Sequence, residues 1–93
     1  MTYEVELSEQ AKALLERLHR EDRRSCHELA LLLLRLEKDP RPDGSRELAV
    51  EARPSGKRSV EERVWRVANF QIVYRVNRGR RAIEVGIVST GRA

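Results

Sequence analysis

Apolar and polar residues alternate through Tyr3-Glu4-Val5-Glu6-Leu7, the period of a strand with one face buried. The period then changes. Ser8 is a good helix N-cap, and Ala11, Leu14, Leu15 and Leu18 fall on one stripe of a following helix, with Lys12, Glu16 and Arg17 outward. Glu21-Asp22-Arg23-Arg24 interrupts the stripe and predicts a turn. A second helix carries Cys26, Leu29, Ala30, Leu33 and Leu36 on its stripe, widened by Leu32 and Leu34. It stops at Asp39-Pro40-Arg41-Pro42-Asp43-Gly44, because a residue before proline is pushed out of the α region.

The period of two returns in the second half. Arg63-Val64-Trp65-Arg66-Val67, Phe70-Gln71-Ile72-Val73-Tyr74-Arg75-Val76 and Ala82-Ile83-Glu84-Val85-Gly86-Ile87-Val88 read as three strands, with a tight turn at Asn69 and a hairpin over Asn77 to Arg80. Leu48 to Ala52 is a further short candidate strand. Alternation turns Trp65, Val67, Ile72, Tyr74, Val76, Ile83, Val85 and Ile87 toward the helices. It leaves Val64, Arg66, Gln71, Val73, Arg75, Glu84, Gly86 and Val88 on the opposite face; a slip of one residue would exchange the two sets. Strand, two helices, then three or four strands predicts an α+β fold. Two antiparallel helices pack on one face of a small, curled, mostly antiparallel sheet, in the order β-α-α-β-β-β(-β).

Length and composition add limits. Ninety-three residues predict a single domain over 1–93 with one modest core, and 40% hydrophobic against 37% charged residues is a globular balance. Leu29 to Leu34, cut off by Arg35, is far short of the roughly 20 apolar residues of a membrane span. Met1-Thr2-Tyr3-Glu4 carries no secretion-signal pattern. The single cysteine, Cys26, has no internal partner, so a cytoplasmic location is expected. Charge is segregated. Residues 1–52 hold 9 Lys/Arg and 12 Asp/Glu, a net −3, while residues 53–93 hold 10 and 3, a net +7. Arg53-Pro54-Ser55-Gly56-Lys57-Arg58-Ser59 reads as an exposed basic turn. A basic surplus on the strand half points to a polyanionic or acidic partner. No Cys/His cluster is present to hold a metal, Glu61-Glu62 reads as a lone acidic pair in a loop, and no cofactor is expected.

The chain resembles the RelE/ParE superfamily of bacterial toxins from toxin–antitoxin pairs. The residues that carry the likeness are Tyr3 to Leu7 with Ser8 and the Ala11/Leu14/Leu15/Leu18 helix, and the helix end Leu36 to Pro42 with Gly44-Ser45. They continue through Val64-Trp65-Arg66-Val67-Ala68-Asn69-Phe70-Gln71-Ile72-Val73-Tyr74-Arg75-Val76 and the strand ending Val85-Gly86. The resemblance implies an antitoxin partner in a hetero-oligomer, with an acidic or amphipathic segment that covers the basic face. For RelE-like members it implies ribosome-dependent cleavage of mRNA, in which a ribose 2′-hydroxyl attacks the adjacent phosphate. That chemistry needs a proton acceptor, cations for the charge on phosphorus and a proton donor for the leaving oxygen.

By that resemblance Arg66 stands at a basic position of the family, and Arg92 is a nearby cation; these two are the candidate catalytic residues. Lys57, Arg58, Arg75 and Gln71 join them as candidate phosphate-binding residues. Val64, Gln71, Ile87 and Val88 stand where family members place basic residues, and Ser89-Thr90-Gly91-Arg92-Ala93 lacks the usual tyrosine or histidine. His19 and His27 read as surface or packing residues and Tyr74 as a core aromatic. Three readings are open: an mRNA endonuclease acting on the ribosome, a ParE-like poison of DNA gyrase that acts by binding, or a homologue that keeps antitoxin binding with little activity.

Overall fold

The computed structural model describes residues 2–48 and 60–90. Their elements are β1 (Glu4–Leu7), α1 (Glu9–Glu21), α2 (Arg23–Lys38), β2 (Ser45–Glu47), β3 (Val60–Val67), β4 (Phe70–Asn77) and β5 (Ala82–Thr90). The strands form a five-stranded sheet in the order β1-β5-β4-β3-β2. β1 pairs with β5 in parallel and the other neighbours are antiparallel. The path is simple: β1 enters at one edge, the helical hairpin leads to the opposite edge, and the meander β2 to β5 walks back to β1. This is the expected α+β arrangement. Among the described residues no helix is long and apolar enough to cross a membrane.

The helix ends are made by short polar side chains. The Ala11 N–H donates to Ser8 Oγ at 3.2 Å, capping α1. The turn between helices is tighter than the four polar residues predict, because Asp22 serves both helices. Its N–H donates to the Leu18 carbonyl at 2.7 Å, closing α1, and its carboxylate accepts the Ser25 N–H at 3.2 Å, opening α2. Arg23 and Arg24 are therefore helical.

Ala11, Leu14 and Leu18 of α1 and Leu29, Leu33 and Leu36 of α2 are buried. They meet Trp65, Phe70, Ile72, Tyr74, Val76, Ile83, Val85 and Val88 from one face of the sheet. Leu34, expected to widen the stripe, is instead 53% exposed beside exposed Leu31. One residue past Leu33 is about 100° around the helix, which carries it off the packed face.

The strands add to the sequence expectations and change them. A short strand that the alternation did not mark lies at Ser45–Glu47; of the expected strand Leu48 to Ala52, residues 49–52 are outside the described range. β3 begins at Val60, so Glu61 and Glu62 belong to a strand rather than a loop. In β5 the pairing with β4 shifts between Val73 and Tyr74, whose partners are Ile87 and Val85. Gly86 is the extra residue of this β-bulge, and it reverses the in-and-out phase of the rest of β5. Val88 therefore lies in the core and Ile87 faces water at 56% exposure, the reverse of simple alternation.

Val67 pairs with Phe70, leaving the two-residue loop Ala68–Asn69. Ala68 has φ 54 whereas Asn69 does not share the positive sign, the pattern of a type II′ turn whose first position favours glycine. Ala68→Gly is expected to raise stability by about 0.5–1 kcal/mol, since relief of the left-handed strain exceeds the added freedom of the unfolded chain. An unchanged or lower urea midpoint would contradict that account.

Candidate nucleic-acid interface

The strand register arranges the side of the sheet away from the helices into rows. One row is Arg66, Gln71 and Ser89; the next is Val64, Val73 and Ile87, with Arg46 of β2 beside Val64; the third is Glu62, Arg75 and Glu84. Sequence alternation placed Arg66, Gln71 and Arg75 on this side, and all three are there. Arg66 and Arg75 are exposed and Gln71 is partly buried. Val64 is also on this side yet buried, apart from the helix-side core.

The face is zoned rather than uniformly basic. At one end the Arg66 Nε donates to Gln71 Oε1 at 2.9 Å, which orients the guanidinium along the strand pair. Arg46 and Ser89 flank this bond through the register with Val64 and Gln71. At the other end the charges are paired. The Arg75 Nε lies 3.3 Å from Glu62 Oε2, while Arg80 reaches Glu84 at 3.0 Å and Glu6 at 2.6 Å. Between the ends, a cleft of about 470 Å³ opens over Val73 and Ile87, with Glu62, Glu84 and Glu6 among its walls. The Arg46–Arg66 end thus carries positive charge that no carboxylate in its own row offsets, while at the other end Glu62 offsets Arg75.

Lys57, Arg58 and Arg92 lie outside the described residues. His19 on α1 and His27 on α2 are exposed and belong to the helices, away from the rows. Tyr74 is buried in the core, where its hydroxyl donates to the Pro40 carbonyl at 2.7 Å; burial pushes its pKa upward, so it stays a neutral phenol. Arg46 escaped the sequence reading because no strand was expected ahead of Leu48.

On the helix side of β3 the sequence reading also missed an ion-pair cluster. Glu61, with a side chain only 11% exposed, takes Arg41 Nη2 at 2.7 Å and Arg63 Nη1 on its other oxygen. Arg63 in turn donates to Ser45 Oγ at 3.0 Å. This cluster ties the connector after α2 to β2 and β3. The Arg41 hydrogen bond, aided by Arg63 and opposed by burial, holds the Glu61 carboxyl below its ordinary value of 4.5. A depressed folded pKa contributes stability that is present above that ordinary value and lost as pH falls through the lower folded one. The urea midpoint is therefore expected to drop between pH 5 and pH 3 by more in the wild type than in Glu61→Gln. Equal drops would remove Glu61 as the source.

By sequence the chain matches no family model and no curated protein. Its structure does have relatives. It superimposes on a chain of the archaeal RelE–RelB complex from Pyrococcus horikoshii OT3 with a TM-score of 0.78 at 21% identity, covering 100% of both chains. It superimposes on a chain of the toxin–antitoxin complex RelBE2 from Mycobacterium tuberculosis with a TM-score of 0.73 at 15% identity, covering 97% of this chain and 99% of the other. The helical hairpin, the meander and the parallel return of β1 against β5 thus form a RelE-type fold.

Proposed function

We propose that this protein is the toxin of a toxin–antitoxin pair and that it inhibits translation by cutting mRNA on the ribosome. The observation that carries the reading is the exposed Arg66, oriented by Gln71 on the open side of a RelE-type fold. The 2′-hydroxyl gives its proton to water and its oxygen bonds to phosphorus as the bond from phosphorus to the 5′-oxygen breaks; the 5′-oxygen takes a proton from water, leaving a cyclic phosphate and a free 5′-hydroxyl. Arg66 holds the phosphate oxygens and offsets the charge that builds on them, the role for which a fixed, permanently protonated guanidinium is suited. Among the described residues, Arg66's row offers Gln71 and Ser89, neither of which titrates near neutral pH. Catalysis then leans on orientation of the codon by the ribosome, where alignment of the 2′-hydroxyl supplies much of the rate. The partner that restrains the toxin is an antitoxin whose segment covers this same face.

A binding-only reading, with DNA gyrase as target, is favoured by Ile87, a large apolar side chain 56% exposed in a strand with neighbours on both sides. Such a residue suits a protein partner better than RNA. Two assays separate the readings. Purified protein added to a translating ribosome extract should yield mRNA cut within codons at the ribosomal A site. Intact mRNA at micromolar protein, together with inhibited gyrase supercoiling, would replace the first reading by the second.

A further inference from the structure

β1 ends at Leu7, yet hydrogen bonding along that edge of β5 continues. The Ser8 N–H donates to the Val85 carbonyl at 2.9 Å and the Ser8 hydroxyl donates to the Gly86 carbonyl at 2.6 Å. At the bulge two successive carbonyls face the same side, and one serine satisfies both. Two residues on, the Gln10 side chain meets Val88 in both directions. Its Nε2 donates to the Val88 carbonyl at 2.8 Å, and the Val88 N–H donates to its Oε1 at 2.9 Å. A side-chain amide thus satisfies both backbone groups of Val88, with the two-way exchange of an antiparallel pair on an edge where β1 itself runs parallel to β5. Gln10 is the second residue of α1, exposed in its first turn.

The consequence lies on the open face. Past the bulge, Val88 points into the core while Ile87 and Ser89 point outward, and Ser89 pairs with Gln71, the residue that orients Arg66. We propose that Gln10 is a positioning residue for this row. By standing in for a strand partner of Val88, it keeps the end of β5 in the shifted phase and Ser89 beside Gln71 and Arg66. The functional half of this inference rests on the RNA reading above; the positional half does not. Without Gln10 the Val88 N–H and C=O lose their partners and the end of β5 is held by its β4 ladder alone, so it frays more readily and the side chains it carries lose their fixed direction.

Two variants of the full chain test it. Gln10→Leu removes both bonds. Gln10→Glu keeps the acceptor for the Val88 N–H, loses the donor, and favours the first helical turn by its charge, so a weakened helix cannot explain its effect. In isotope-labelled protein, the Val88 amide should exchange at least tenfold faster in Gln10→Leu and by an intermediate factor in Gln10→Glu. The Ile72 and Ile83 amides should keep their wild-type rates. The short proton–proton contact between Ser89 and Gln71 should vanish in Gln10→Leu and return in part in Gln10→Glu. In the ribosome extract, cleavage should fall at least tenfold in Gln10→Leu and recover partly in Gln10→Glu. Wild-type exchange at Val88 in Gln10→Leu, or a persistent Ser89–Gln71 contact, overturns the assignment, as does full cleavage despite a loosened Val88. If the wild type cleaves nothing while Val88 and Ser89 respond as expected, the RNA reading fails and the positioning of the row by Gln10 is supported.

Discussion

Arg66→Ala is expected to lower mRNA cleavage by roughly 10²- to 10³-fold and to relieve growth arrest, the range typical for removing one donor aimed at transition-state charge. The protein should stay folded, within about 0.5 kcal/mol of the wild type, because the side chain is exposed and its hydrogen bond is to the neutral Gln71. Arg66→Lys should recover little activity: it keeps the charge but loses the planar fork that can hold two phosphate oxygens at once. Arg75→Ala supplies the contrast. Its guanidinium already faces Glu62, so its loss should cost less than tenfold. Equal losses in Arg66→Ala and Arg75→Ala would dismiss the zoned face, and growth arrest unchanged by Arg66→Ala would dismiss the phosphate role.

Trp65→Ala should be the most damaging single truncation, costing about 3–5 kcal/mol. Trp65 is 1% exposed, pairs across β3 and β4 with fully buried Ile72, and lies between the helices and the sheet. The Arg35 guanidinium covers its ring at 6.0 Å from the centroid. The turn at Gly44, with φ 92, passes close to its indole nitrogen. Removing the ring leaves a cavity bordered by α2, the connector and two strands, and the strands cannot close in without breaking sheet pairing. Small domains are stable by about 5–15 kcal/mol, so the loss is a large share of the total. It should appear as a fall of about 15 °C or more in Tm. Arg35→Ala, which removes the cation over the ring, should cost about 0.5–1 kcal/mol. If Trp65→Ala costs no more than Arg35→Ala, the buried indole is not the keystone of this core.

The rows of the open face were legible in part from the residues alone. Arg66, Gln71 and Arg75 fell on the predicted side because β3 and β4 keep an unbroken period of two across eight paired residues. Ile87 and Val88 did not, because a bulge is a property of how two strands meet and leaves no mark in the alternation of one. Gly86 is no clear signal either: a Cβ there would meet the Val73 carbonyl at 3.6 Å, an ordinary contact. The pairing of Arg75 with Glu62 and the clustering of Arg41, Glu61 and Arg63 join residues from different elements, so a charge count cannot anticipate them.

Local chemistry determined the elements. The stripe of leucines makes two helices, the serine and aspartate caps start them, the proline pair ends the second, and β-branched alternation makes the long strands. These are short-range effects, set by backbone sterics and by the spacing of apolar side chains within one segment. Tertiary structure decided the order of strands, the phase of β5 beyond its bulge, which arginines face carboxylates and which face water, and the use of Gln10 as a strand partner. Each of those depends on groups far apart in the chain meeting at hydrogen-bond distance, and such meetings are chosen by the packing of the whole sheet against its helices.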